Sequence, residues 1–273
     1  MAFEGCTSLT SINIPDSVTG IGWEAFGGCT SLSSINVNKE NENLKSIDGV
    51  LFSKDGKTLL QFPIGKRGAN YAIPNSVESI GSNAFEGCTG LTSIVIPDSD
   101  NVTKIYDSAF ANCTGLEEVI LGNHVERIGY RKSCRPCQYS GKMARIYYKS
   151  FEDKRNRGNA FRGCTSLTSI NVDTENQCYK SIDGVLFSKD GKTLLQFPRG
   201  KKETDYTIPN SVGSIGSSAF AGCTGLTSIT VPDSVKSIGD FAFYGCSGLK
   251  EVTIPKELDI TGIFNEHVKI NRI

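Results

Sequence analysis

The sequence predicts an α/β repeat solenoid, with a parallel β-sheet along one face and short helical turns on the other side. Three observations predict it. The word Ala-Phe-x-x-Cys occurs seven times, at residues 2–6, 25–29, 84–88, 109–113, 160–164, 219–223 and 242–246. Each copy leads into a short apolar run that alternates with polar residues, as in Leu226-Thr-Ser-Ile-Thr-Val-Pro232. Glycine stands before the cysteine in every copy but one, where Asn112 takes its place. Self-similarity at a fixed spacing of about 20 to 50 residues marks stacked repeats, in which no unit buries its apolar face alone.

One unit shows why each element is expected. Ile229 and Val231 alternate with Ser228 and Thr230, which suits a strand buried on one face. Pro232 has no N–H for a ladder and ends the strand. Val235 and Ile238 are spaced to point inward, and Gly239 permits the next turn. Residues 240–244 suit one short helical turn, closed by Gly245 in the left-handed region. Asn112 fits that slot because Asn best tolerates the left-handed conformation after Gly.

The string AFxGCTxLTSIxIPDSVxxIG resembles the BspA-type leucine-rich repeat of bacterial surface proteins and of expanded protist families. The resemblance covers most of the chain apart from residues 130–158. It implies a leucine-rich-repeat-like right-handed coil. It also implies a non-catalytic scaffold for protein–protein interaction, in cell-surface adhesion or host-protein binding. A fold of this kind hosts many functions, so the ligand must be argued from the site.

Taken in order, residues 1–29 hold the first regular unit, and residues 30–88 hold a longer one. In the longer unit, the apolar runs at 50–52 and 59–62 flank Lys54-Asp55-Gly56-Lys57, a hairpin signal. Residues 181–198 repeat residues 46–63 without a change, 135 positions later, so the chain carries a superrepeat. Asp48, Asp55, Asp183 and Asp190 read as turn formers, because the alternating acidic ligands of a calcium loop are missing. Asn101-Val-Thr and Asn112-Cys-Thr match the glycosylation triplet, but Asn112 is already assigned to a turn beside a buried cysteine. Residues 249–255 give a last clear strand, and Phe264 with Val268 and Ile270 suggests a final coil or cap. The chain begins inside a repeat without a capping segment, so a fragment of a longer protein is expected.

Residues 130–158 break the pattern, with nine Lys or Arg against Glu152 and Asp153. Three readings stand open. The segment is a basic loop on a solenoid edge; or Cys134-x-x-Cys137 is half of a zinc or redox site, with His124 and Cys178 as the nearby candidates; or it is not native coding sequence. Apart from this insert, one solenoid is expected over residues 1–273.

The charge balance is neutral, 29 Lys plus Arg against 29 Asp plus Glu, which gives no general grip on nucleic acid or anionic lipid. No apolar run approaches the length that spans a bilayer. Seven of the ten cysteines are repeat cysteines and read as buried free thiols rather than a disulfide framework. No nucleophile–base pair, metal cluster or phosphate loop is visible, so neither an enzyme nor a cofactor is expected.

A binding face is readable instead. The outward strand positions are Ser11 and Asn13, Ser34 and Asn36, Ser93 and Val95, Glu118 and Ile120, Ser169 and Asn171, Ser228 and Thr230, and Glu251 and Thr253. The polar members of that set are the candidate ligand-binding residues, for an extended protein or glycan surface. A solvated sheet face explains them equally well. The alternatives from other classes are a thiol or zinc protein built on Cys134 and Cys137, and a passive spacer module.

Overall fold

The computed structural model describes residues 2–22, 24–98, 104–129 and 159–273. Short strands stack coil upon coil on two faces. On the first face, Ser11–Ile14 pairs in parallel with Ser34–Val37. Asn70–Ala72, Ser93–Ile96, Glu118–Leu121 and Ser169–Val172 follow as a four-stranded parallel sheet. Asp205–Thr207, Ser228–Thr230, Glu251–Ile254 and Lys269–Arg272 form another. Register follows the repeat, so Ile94, Val119 and Ile170 lie opposite one another and are fully buried. The second face carries two-residue strands such as Ser79–Ile80, Lys104–Ile105 and Arg127–Ile128, also parallel. The expected final coil is present, with Phe264 packed 4.8 Å from the Phe243 ring.

The long unit forms a three-stranded antiparallel element. Leu44–Ile47, Val50–Ser53 and Thr58–Gln61 pair in sequence, and Thr58–Gln61 then joins Ser79–Ile80 in parallel. Its copy runs through Tyr179–Ile182, Val185–Ser188 and Thr193–Gln196. The Asp55-Gly56 hairpin is as expected. A second hairpin, at Asp48-Gly49, has φ of 49° and 74°, the positive pair that a tight turn between twisted strands needs. The middle strand is buried on both sides. Leu51 belongs to the apolar cluster of the preceding coils, whereas Val50 and Phe52 belong to that of the following coils. Leu186, against Val185 and Phe187, divides the next boundary in the same way.

The expected short helical turns are not formed: among the described residues there is no helix. The reason lies in where the backbone N–H groups go. In the turn over residues 84–88, the N–H groups of Ala84, Glu86 and Cys88 bond within their own turn, to Gly81, Asn83 and Phe85. Those of Phe85 and Gly87 reach across to the carbonyls of Ala109 and Ala111 in the next coil, at 2.8 and 2.9 Å. A helix would keep all of them local. The residue before five of the seven Ala-Phe pairs also enters the left-handed region, with φ of 51° at Glu24, 60° at Asn83, 55° at Ser108, 57° at Ser218 and 56° at Phe241. The predicted left-handed slot before each cysteine is observed, including Asn112 at φ 58°.

The same turns explain the phenylalanines and cysteines. Phe197, Phe220 and Phe243 stack with centroids 5.2 and 5.0 Å apart. The Phe85 carbonyl accepts its own turn's Cys88 N–H and, from the next coil, the Cys113 thiol, each at 3.0 Å. Cys164 and Cys246 repeat that bond to Phe110 and Phe220, again at 3.0 Å. The cysteine is therefore a small core residue that also fills a carbonyl lone pair.

Two buried asparagines lock the long units to the preceding coil. Asn176 is fully buried. Its Nδ2 donates to the Gly122 and Val125 carbonyls, and its Oδ1 accepts from the Cys178 and Tyr179 N–H groups, all at 2.8–3.0 Å. Asn41 does the same with Pro15, Val18, Asn43 and Leu44.

The insert at 130–158 lies outside the described residues. Around it the stack is in register: Phe110 N–H donates to the Ala160 carbonyl at 2.9 Å, and the Phe110 and Phe161 rings are 5.7 Å apart and parallel within 5°.

Phe220→Ala is expected to cost about 3–5 kcal/mol in a denaturant melt, because it removes a whole ring from a packed stack. A loss under about 1 kcal/mol would place the ring outside the load of the core. Asn176→Ala is expected to cost about 3 kcal/mol or more, since four buried backbone groups lose their partner at once. Deleting residues 130–157 joins Gly129 to Gly158 and writes Ile-Gly-Gly-Asn-Ala-Phe, the match of residues 80–85. That variant is expected to keep its far-UV circular dichroism and its stability. Loss of several kcal/mol (as against about 1) would make the segment an integral part of the fold.

Candidate ligand-binding face and buried thiols

The outward positions of the first face lie in three tiers rather than in one unbroken groove. The hairpin turns make the breaks. The Gly49 and Gly184 carbonyls accept the N–H groups of Ile35 and Ile170, which seats each turn beside the last strand of a tier. A Cβ on Gly49 would lie 2.7 Å from Ser34 Oγ, and one on Gly184 would lie 2.9 Å from Ser169 Cβ. Only glycine permits that approach. Ser34 and Ser169 are therefore tier edges, partly covered by the turn.

In the first tier Ser11 lies opposite Ser34 and Asn13 opposite Asn36. Asn36 Nδ2 donates to Asn13 Oδ1 at 3.2 Å, and Ser34 Oγ donates to Asn36 Oδ1 at 2.9 Å. In the third tier Ser228 and Glu251 share a row with Asp205 and Lys269, and Thr230 and Thr253 share one with Thr207 and Asn271. The Ser228 hydroxyl, then that of Thr204, hold the Asp205 carboxyl below its ordinary value. Lys269 Nζ lies 3.8 Å from Glu251 Oε2.

The middle tier differs. One row holds Asn70, Ser93, Glu118 and Ser169; the next holds Ala72, Val95, Ile120 and Asn171. Asn171 Nδ2 donates to Glu118 Oε1 at 2.7 Å. Val95 and Ile120 face each other and stay 36% and 37% exposed, an apolar pair that Ala72 extends along its row. Reading the polar positions alone missed them. The signal was present as two large apolar residues at positions where most other strands of the face carry Asn or Thr.

Hydroxyls, amides and carboxylates of this kind can hydrogen-bond to a partner's surface. Among the described residues no group of three or more His, Cys, Asp or Glu could hold a metal ion. The zinc or redox reading of Cys134 and Cys137 falls outside the described residues. Asp48 and Asp183 sit in tight turns, and Asp55 and Asp190 accept from the Ser53 and Ser188 hydroxyls at 2.6 Å, which is turn chemistry. Asn101 also falls outside the described residues.

Six of the seven repeat cysteines are buried, while Cys6 is exposed, contrary to the expectation that all seven point into a core. Cys6 lies in the first described coil, which packs on the next coil through one side, as in the Phe3–Phe26 stack. Burial pushes the Cys164 thiol up to about 12 and the Cys246 thiol up to about 11, and raises Cys88, Cys113 and Cys223 well above the ordinary range. A thiol is neutral when protonated, so the native state holds these protons more tightly than the unfolded chain does. That stabilisation is complete below the unfolded thiol value of about 8.5 and is lost as pH rises toward the native values. Thermal melts are therefore expected to fall steeply above about pH 9, and less steeply in Cys246→Ala. At neutral pH a bulky thiol reagent is expected to spare Cys88 and Cys223 and to modify Cys6 among the repeat cysteines. Rapid labelling of Cys88 would contradict the burial.

Among solved structures, the chain is similar to a leucine-rich repeat protein from Eubacterium ventriosum, at 23% identity over 92% of this chain and 56% of that one, with a TM-score of 0.55. It is similar to the pneumococcal vaccine antigen PcpA, at 24% identity over 96% of this chain and 58% of that one, with a TM-score of 0.64. It is also similar to a leucine rich cell surface protein from Faecalibacterium prausnitzii, at 23% identity over 97% of this chain and 79% of that one, with a TM-score of 0.55. These likenesses concern the fold. The chain spans little more than half the length of the first two, 56% and 58%. No curated protein matches the chain. No helix among the described residues is long and apolar enough to cross a membrane. The family described as BspA type leucine rich repeat region matches residues 1–66, 65–156 and 196–272 in six copies. With these turns, ladders and matches in place, the chain belongs to the BspA-type leucine-rich repeat family.

Proposed function

We propose that this chain is a non-catalytic scaffold that binds a protein through the middle tier of its first face, at a cell surface. The observation that carries the reading is the exposed Val95–Ile120 pair inside a rim of Ser93, Glu118, Ser169 and Asn171. An apolar centre within a polar rim is how protein interfaces are built, and a few central side chains supply most of the affinity. The surface location is supported by the likeness in fold to the leucine rich cell surface protein from Faecalibacterium prausnitzii. The middle tier is stiff, since its strands are tied to coils on both sides, so binding here orders little backbone.

The purified chain is to be tested against a panel of immobilised extracellular proteins by surface plasmon resonance. Saturable binding is expected, and Val95→Glu combined with Ile120→Glu is expected to weaken it by about tenfold or more. Unchanged binding by that double variant would move the contact off this tier. Protease treatment of intact source cells tests the location, with cleavage of the chain expected before lysis.

A further inference from the structure

A second site lies beside the first face, where the long unit folds back over the first two coils. An open cleft of about 730 Å³ is lined by the hydroxyls of Thr10, Thr30, Ser31 and Ser33 and by the cations Lys66 and Arg67. We propose that this cleft binds an oxyanion-bearing sugar, meaning a short segment of a sulfated or carboxylated glycan.

The cleft is assembled by specific contacts. Gly65 N–H donates to the Leu32 carbonyl at 2.8 Å. A Cβ on Gly65 would stand 2.6 Å from the Thr30 carbonyl oxygen and from the Ser31 carbonyl carbon. Glycine alone lets this loop lie on the coil, and the contact sets two cations beside four hydroxyls. Lys66 Nζ spends one donor on the Asp48 carbonyl at 2.6 Å and keeps two for a ligand. Arg67 is exposed and has no ion-pair partner among the described residues, so its planar fork is free for an oxyanion. The hydroxyls match sugar hydroxyls, which both donate and accept. No aromatic ring lines the cleft to stack a base, and no apolar side chain lines it to anchor a hydrophobic peptide.

The superrepeat supplies an internal comparison. The same bonds recur in the second copy: Thr168 Oγ1 to the Glu117 carbonyl, like Ser33 Oγ to that of Thr10, and Lys201 Nζ to the Asp183 carbonyl. Yet Glu117 stands where the first copy has Thr10, and Glu203 stands where it has Gly68. Glu203 pairs with Lys201 at 3.0 Å. The scaffold is shared, but the second copy pairs Lys201 with a carboxylate, whereas neither Lys66 nor Arg67 of the first has one among the described residues. This site is separate from the Val95–Ile120 face and does not rest on the protein-binding reading.

Isothermal titration of the full chain with a heparin hexasaccharide and a hyaluronan hexasaccharide tests the proposal. At least one is expected to bind, and the tighter of the two identifies sulfate or carboxylate as the recognised group. Arg67→Glu is expected to weaken binding by about tenfold or more, and Arg67→Lys by less than Arg67→Glu, because Lys keeps the charge and loses the fork. Thr10→Glu, which writes the second copy's carboxylate into the first, is expected to weaken it by about fivefold or more. The double variant Lys201→Ala with Lys202→Ala, and Val95→Glu with Ile120→Glu, are expected to bind as the parent does. Binding of neither sugar, unchanged binding by Arg67→Glu, or an equal loss in the Lys201 and Lys202 variant would overturn the proposal. Inorganic sulfate bound as tightly as the hexasaccharide would overturn its assignment to a sugar.

Discussion

Every coil depends on N–H groups that it cannot satisfy by itself. In four of the Ala-Phe-x-x-Cys turns, those at residues 2–6, 84–88, 109–113 and 219–223, alternate N–H groups point along the stack, as Phe85 and Gly87 do toward Ala109 and Ala111. A single turn in isolation would leave them to water, and a buried one would leave them unpaired at a cost of about 1–3 kcal/mol each. The remainder follows from that constraint. Coils must sit at strand spacing, so identical side chains meet, and Phe rings stack because the backbone has already set their separation. The thiol then finds a carbonyl from the coil before it. The turn enters and leaves through left-handed residues because no helical path would aim alternate N–H groups outward.

Much of this was legible in the residues. The recurrence of Phe, Cys and Gly, the alternation around Ile and Val, and the Asp55-Gly56 hairpin all carry a local physical meaning, and each reads correctly. The turn did not read correctly, because Ala-Phe-x-x-Cys has the spacing of one helical turn and the left-handed entry has no shared residue type: Glu24, Asn83, Ser108, Ser218 and Phe241 all occupy it. Asn41 and Asn176 were hidden for another reason. A buried, fully bonded Asn within a polar run looks the same in sequence as an exposed turn Asn. The division of the first face into tiers was hidden too, because it depends on where the Gly49 turn comes to rest, against the strand that precedes its own hairpin. The middle tier was half legible: its polar rim was expected, and its apolar centre was passed over.

The superrepeat shows which residues are constrained from more than one side. The block 46–63 recurs unchanged at 181–198, and its strands touch a core on each side as well as the preceding strand of the first face. The next loop, residues 64–70, becomes Arg-Gly-Lys-Lys-Glu-Thr-Asp at 199–205. That loop is held by its glycine, by the Lys66 or Lys201 ammonium group on the Asp48 or Asp183 carbonyl, and by the Ala69 or Thr204 carbonyl, and between those ties Gly68 becomes Glu203. The two copies thus share a frame and differ in surface chemistry.

The doubly buried strands at Val50–Ser53 and Val185–Ser188 act as bulkheads. Each closes one apolar compartment with one side and opens the next with the other, so three cores stand in series among the described residues. Damage within one compartment, such as a lost ring or a cavity, is contained by the wall rather than passed along the stack. A chain held at its two ends and drawn apart would therefore give way in compartments, each with its own force, and the intact sections would keep their faces presented while a neighbour is open.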